Sequence, residues 1–158
     1  MTTADASLKF TFLGTGTSHG IPMIGCSCPV CTSANPHNKR SRASVFIQTP
    51  QTHLLIDTSM DFRMQALTNH ITKIDTVLLT HAHADHIFGF DDLRPFYHLS
   101  KKPVPVFGSE KTIKAMNRIF SYVHHDRPKG SSVLRVQFKI IEHEEITVND
   151  LHIKPIPV

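Results

Sequence analysis

Residues 77–96 read VLLTHAHADHIFGFDDLRPF. Four side chains of metal-ligating type fall within six positions of this stretch: His81, His83, Asp85 and His86. The chain is rich in histidine, with 12 in 158 residues, so the crowding has first to be weighed against composition. Random placement of those histidines and the nine aspartates gives on the order of 0.004 such windows in the whole chain. A solvated, histidine-rich loop does not account for four ligand types in register.

Spacing constrains how the four can act. His81 and His83 stand two apart, as do His83 and Asp85, so an extended or turning segment lets alternate side chains converge. Asp85 and His86 are adjacent and diverge. A loop that leaves a strand at 75–80, enters a helix and folds around two metal ions satisfies both conditions. His81 and His83 would then hold one ion, and Asp85 with His86 the other. Such a site sits at the C-terminal end of a strand, where open α/β sheets place ligands. Nitrogen and oxygen donors suit Zn²⁺, Mn²⁺ or Fe²⁺. Two ions about 3.5–4 Å apart can activate one water and clamp both oxygens of a phosphoester displacement. Four residues cannot complete two coordination shells, so further ligands are expected elsewhere.

Working outward, LKFTFLG (8–14) alternates as a strand, and ASVFIQT (43–49) with THLLIDT (52–58) reads as a hairpin around Pro50-Gln51. SMDFRMQALTNH (59–70) reads as a helix with Phe62, Ala66 and Asn69 along one side. DTVLLT (75–80) suits a strand buried on both faces. A helix is expected over 85–99, kinked or ended by Pro95. PVPVFGS (103–109) gives a strand, and 109–123 an amphipathic helix capped by Ser109, with Ile113, Met116, Ile119 and Phe120 facing in. Three β-segments follow at 132–141, 145–150 and 151–158. Strands followed by strand–helix–strand units indicate an α/β layered protein. One domain over 1–158 is expected. The chain stops inside a β-like run, IKPIPV, and is read as the N-terminal portion of a truncated domain.

No stretch approaches the run of about 18 apolar residues that a membrane helix needs, and MTTADASLK lacks a signal-peptide layout. A cytoplasmic protein without a membrane partner is expected. Net charge is +4, but the basic residues are scattered, as in Lys39, Arg40 and Arg42 or Lys101 and Lys102. That pattern fits a solvated surface better than a nucleic-acid interface. Three cysteines, an odd number, argue against a disulfide framework. GCSCPVC instead sets Cys26, Cys28 and Cys31 in a C-x-C-x-x-C array suited to one structural zinc. A fourth ligand is then needed, with His19 and His37 the local candidates. GTGTSHG (14–20) could cradle a phosphate, but a tight turn beneath the metal site is the better reading. Asp91, Asp92 and Arg94 either orient the histidines and substrate or pair with one another at the surface.

THAHADH resembles the H-x-H-x-D-H signature of the metallo-β-lactamase superfamily, and LLIDTS resembles its first motif. FLGTGTSHGIPMIGCSCPVC and HADHIFGFDDLRPF are similar to the phosphoribosyl cyclic phosphodiesterases of phosphonate degradation, and also to pyrroloquinoline-quinone biosynthesis B proteins. The resemblance implies an αββα sandwich with a dinuclear Zn or Mn site at its edge. His81 and His83 would ligate the first ion. Asp85 and His86, the residues assigned to catalysis, would ligate the second. Asp57 would support the metal loop from behind, and the three cysteines would bind structural zinc. The implied reaction is attack of a metal-activated hydroxide on a small cyclic phosphate or nucleotide-like diester, in a possible homodimer. The remaining ligands would lie outside 1–158. A ribonuclease Z-like nuclease is the alternative, disfavoured because no basic RNA-binding insertion is visible. A non-catalytic metal-binding accessory protein is the other.

Overall fold

The computed structural model describes residues 7–124 and 133–156. The expected hairpin forms: β2 (Ser44–Gln48) and β3 (His53–Ile56) pair antiparallel, and β1 (Lys9–Gly14) pairs antiparallel with β2 on its other side. From β3 onward the sheet is parallel, through β4 (Thr76–Leu78), β5 (Val104–Gly108) and β6 (Val136–Ile140), so the six strands lie in sequence order. Parallel neighbours require crossovers, and helices supply them. α1 (Phe62–Thr68) links β3 to β4, and α4 (Glu110–Ile119) links β5 to β6. Between β4 and β5 run α2 (Ala84–Ile87), a 3-10 turn (Phe90–Leu93) and α3 (Arg94–Ser100).

Register decides where the core lies. Phe46, Leu55, Val77 and Val106 are direct cross-strand neighbours and share one sheet face. They join a single buried cluster with Phe62, Ile87, Phe90, Leu93 and Met116 from the crossover segments. Each such side chain contributes about 1.5–3 kcal/mol on burial. The opposite face carries Ile56, Leu78 and Phe107, again in register. Over it lies a hairpin of β7 (Ile146–Val148) and β8 (Leu151–Ile153), held where Asp150 accepts hydrogen bonds from the Thr49 and Thr52 hydroxyls at 2.8 and 2.5 Å. The layers are helix, sheet, then a second short sheet. No helix among the described residues is long and apolar enough to cross a membrane.

Several boundaries differ from the sequence reading. The first helix starts at Phe62 because Ser59 is spent on a turn, its hydroxyl accepting from Asp61 N–H and its carbonyl from Phe62 N–H. Asn69 is exposed while Gln65 is buried. The expected single helix over 85–99 breaks at Gly89, where a Cβ would run into the Ser59 carbonyl. Pro95 neither kinks nor ends a helix. It sits in the first turn of α3, where its missing N–H has no partner to lose. Ser109 caps α4 as expected, its hydroxyl accepting from Thr112 N–H at 3.2 Å. Ile119 is exposed, since the helix ends there and the chain turns to bury Phe120 instead. The expected β-segments shorten to β6, β7 and β8, and the parts at 132 and 157–158 lie outside the described residues.

Candidate metal centre

β3, β4 and β5 run parallel, so their C-terminal ends share one edge of the sheet. Asp57 follows β3 directly and is 4% exposed. Its backbone is left-handed, at φ 59°, a conformation that aspartate tolerates better than most residues. The Asp57 N–H donates to Leu78 O, and the Ser44 hydroxyl donates to Asp57 O, both at 2.9 Å. The carboxylate is thereby fixed against the loop after β4. Its Oδ1 accepts Thr80 N–H at 2.8 Å, and its Oδ2 accepts the Thr80 hydroxyl at 2.7 Å. The same Oδ2 lies 2.7 Å from His86 Nδ1.

These bonds determine which ring nitrogens remain available. The single Thr80 hydroxyl proton points at Asp57, so that hydroxyl can only accept from His81 Nδ1, 3.0 Å away. His86 Nδ1, facing a carboxylate, likewise carries a proton. Both imidazoles therefore present an unprotonated Nε2 when neutral, as ligating histidines held by an outer partner do. His81 Nε2 lies 3.1 Å from His83 Nδ1, and His86 Nε2 lies 3.3 Å from Asp85 Oδ2. Two zinc bonds of about 2.0–2.1 Å at a tetrahedral angle set their donors about 3.3 Å apart. Each pair thus has the spacing to hold an ion, and His81 and His86 each offer a free Nε2 lone pair. The pairing is His81 with His83 and Asp85 with His86.

The electrostatics favour the same state. Desolvation, helped by the neighbouring His86 and His83, pushes the His81 imidazole below its ordinary value, keeping it neutral. Desolvation opposes ionisation of Asp85, but its own backbone N–H, the Ser18 side chain and His86 outweigh it and hold the carboxyl below its usual range.

Cys26, Cys28 and Cys31 bring their sulfurs within 4.8 Å of one another, and among the described residues only they form a three-ligand group that tight. Neither His19 nor His37 places a nitrogen within that distance of all three. Cys31 N–H donates to Cys28 Sγ at 3.5 Å, and Met23 N–H to Cys31 Sγ at 3.4 Å. The Cys31 N–H, then the neighbouring thiols, pull Cys28 down to about 7. Thiolate character at neutral pH is what a zinc ligand needs.

Other expected participants fall elsewhere. Asp91 pairs with Arg94 and accepts the Tyr122 hydroxyl at 2.7 Å, while Asp92 has no ion-pair partner among the described residues and burial holds its carboxyl above the ordinary value. The glycines of GTGTSHG serve close packing: a Cβ on Gly14 or Gly16 would meet the carbonyls of Arg42 or Arg40. Thr80 carries a role that sequence reading missed, although it had a signal, standing directly before His81.

Residues 52–158 match the family model of the β-lactamase superfamily domain. The chain belongs to the metallo-β-lactamase superfamily. A solved structure described as a new diphosphatase from the PhnP family superposes with a TM-score of 0.86 at 41% identity, over 96% of this chain and 58% of that one. The octanoyltransferase of Porphyromonas gingivalis is 36% identical over 153 residues, which are 96% of this chain but 30% of that protein. Zn²⁺-bound PqqB from Methylobacterium extorquens shares the metallo-β-lactamase fold, with a TM-score of 0.65 at 22% identity over 87% of this chain and 47% of its own. The chain thus spans under two thirds of each of these relatives. The α/β layering expected from the order of strands and helices is the superfamily's, and the PhnP-family likeness agrees with the branch that the two clusters pointed to.

Proposed function

We propose that the chain carries the metal centre of a metal-dependent hydrolase that cleaves a phosphodiester, a small cyclic phosphate or nucleotide-like diester in preference to RNA. The observation that carries this reading is the pair of donor sets at 3.1 and 3.3 Å, backed by one buried carboxylate that holds both loop ends. His81 and His83 would hold one divalent ion, and Asp85 and His86 the other. When bound, the ions supply positive charge against phosphate oxygens and lower the pKa of a coordinated water. Asp57 keeps His86 in the Nδ1–H tautomer and, through Thr80, does the same for His81. Asp85 is ionised and His81 neutral, so no proton has to leave either before an ion binds. Cys26, Cys28 and Cys31 would hold a structural zinc away from the reaction. The PhnP-family relative is described as a diphosphatase, and that activity is also hydrolysis at phosphorus, which supports a phosphate ester over a β-lactam.

The test is titration of the metal-free protein with Mn²⁺ and Zn²⁺, paired with hydrolysis of bis(p-nitrophenyl) phosphate. His83→Ala should weaken metal binding by about 100-fold and abolish turnover with the fold retained. Normal turnover in that variant would sink the two-ion arrangement.

A further inference from the structure

α1 carries apolar side chains on both of its sides. Phe62, Gln65 and Ala66 are buried, as the inward face of a covering helix should be. The outward face of such a helix is ordinarily polar. Here it presents Met60, Met64 and Leu67, at i, i+4 and i+7, each 49–59% exposed. Nothing among the described residues covers this stripe, and an exposed apolar stripe with that spacing marks a surface made to meet another molecule.

The stripe borders a groove of about 490 Å³ between α1 and the loop that leads to the cysteines. Met64 stands on one wall, and Ile24, 96% exposed, on the other. The loop wall is preformed: Ile21 and Arg40 exchange N–H···O bonds, both 2.8 Å, and Gly16 N–H reaches Ser41 O at 2.7 Å. An apolar groove of this kind accepts the apolar face of an amphipathic helix. Methionine, unbranched and polarisable, adapts to such a face.

Charge selects the occupant. Lys39, Arg40 and Arg42 line the groove against one acid, Asp61, which Arg42 Nη1 already engages at 3.0 and 3.1 Å. Among the described residues neither Lys39 nor Arg40 has a carboxylate within ion-pair distance. A second copy of the chain is a poor fit, since a two-fold interface joins a patch to itself and sets like charges together. An anionic bilayer is flat, whereas these cations line a concavity. An acidic polypeptide segment satisfies both the shape and the charge.

We propose that α1 and the facing loop form a docking groove for an acidic amphipathic helix of another protein. Its apolar stripe would pack on Met60, Met64, Leu67 and Ile24, and its flanking carboxylates would meet Lys39 and Arg40. The inference is independent of the reaction at the histidine loop.

The experiment is a fluorescence-anisotropy titration of the wild-type chain with a labelled helical peptide that carries leucine at i, i+4 and i+7 and glutamate on its other face. A counterpart with lysine in place of glutamate is the control. The acidic peptide should bind at least about tenfold more tightly. In methionine-methyl NMR spectra it should shift Met60 and Met64 and leave the buried Met116 in place. Met64→Glu combined with Leu67→Glu should weaken it by about tenfold or more at an unchanged melting temperature, both side chains being exposed. Lys39→Glu combined with Arg40→Glu should erase the preference for the acidic peptide. Leu99→Glu, at an exposed leucine of α3, should change nothing. No binding, equal binding of the two peptides, or an equal loss with Leu99→Glu overturns the groove. Sedimentation of phosphatidylglycerol vesicles with the chain, abolished by Met64→Glu and Leu67→Glu, would make the face a membrane surface instead. A dimer that the same pair of substitutions dissociates would make it a self-interface.

Discussion

The two ligand clusters of this protein are built in opposite ways. The histidine loop hangs from the ends of β3 and β4, and its anchor, Asp57, is 4% exposed among core residues. The His81 and His86 imidazoles are held in tautomer and position before any ion arrives. The cysteine array lies on a loop with Cys28 exposed and Cys26 and Cys31 half-buried, held by a few backbone bonds such as Cys26 N–H to Met23 O and Thr32 N–H to Cys28 O. A catalytic site needs its ligands set by the scaffold, so that binding costs little reorganisation. A structural site can let the ion order the loop, since order is its only product. The difference predicts which perturbations travel into the core and which stay local.

The largest effect is expected at Asp57. Asp57→Ala removes the two oxygens that accept three hydrogen bonds from Thr80 and His86 and should cost about 3–5 kcal/mol in a urea titration. Metal affinity at the histidine loop should fall by about 10–100-fold. An unchanged midpoint would mean that the loop does not depend on the core, and the contrast between the clusters would collapse. Gly89→Ala comes next. Its Cβ would strike the Ser59 carbonyl, so α2 and α1 must separate behind the metal loop, at about 2–3 kcal/mol. Gly89 is at φ −83°, so a loss of that size would report steric fit and no change in backbone preference.

Cys28→Ala should act locally. Zinc content should drop by one equivalent and proteolysis within 23–35 should accelerate, while the global midpoint moves by less than about 1 kcal/mol. A loss as large as that of Asp57→Ala would show that the exposed loop supports the core after all. The smallest effect on metal binding is expected at the far end of the sheet. Asp75 accepts His53 N–H at 2.9 Å and lies 3.0 Å from His53 Nδ1 and from Lys73. Asp75→Asn should cost about 1 kcal/mol at neutral pH and leave metal binding alone. Burial opposes ionisation of Asp75, but Lys73 and His53 prevail and hold its carboxyl below the ordinary 3.8. With the folded value depressed, the stabilisation is present above 3.8 and fades as pH falls through the native value. Wild type and variant should therefore converge in acid, and a gap that widened there would reverse the assignment.

Composition and spacing picked out both candidate clusters, because the residues of each lie within a few positions of one another. His81, His83, Asp85 and His86 sit two, two and one apart, and the loop delivers them as two donor pairs. Strand periodicity likewise located all six strands of the sheet. It could not say which side of a strand meets the helices. In β1 the alternation places Phe10 and Phe12 at 56% and 70% exposure and buries Leu13 instead. Nor could it find the break at Gly89, which depends on a carbonyl 30 residues earlier, at Ser59. Thr80 as proton donor to Asp57, 23 residues away, is a product of long-range packing. The sequence by itself determined the candidate ligand set and the strand–helix order, because those depend on neighbours within a few residues. Which nitrogens stay free to bind and which charges stay unpaired were decided only when the sheet brought distant segments together.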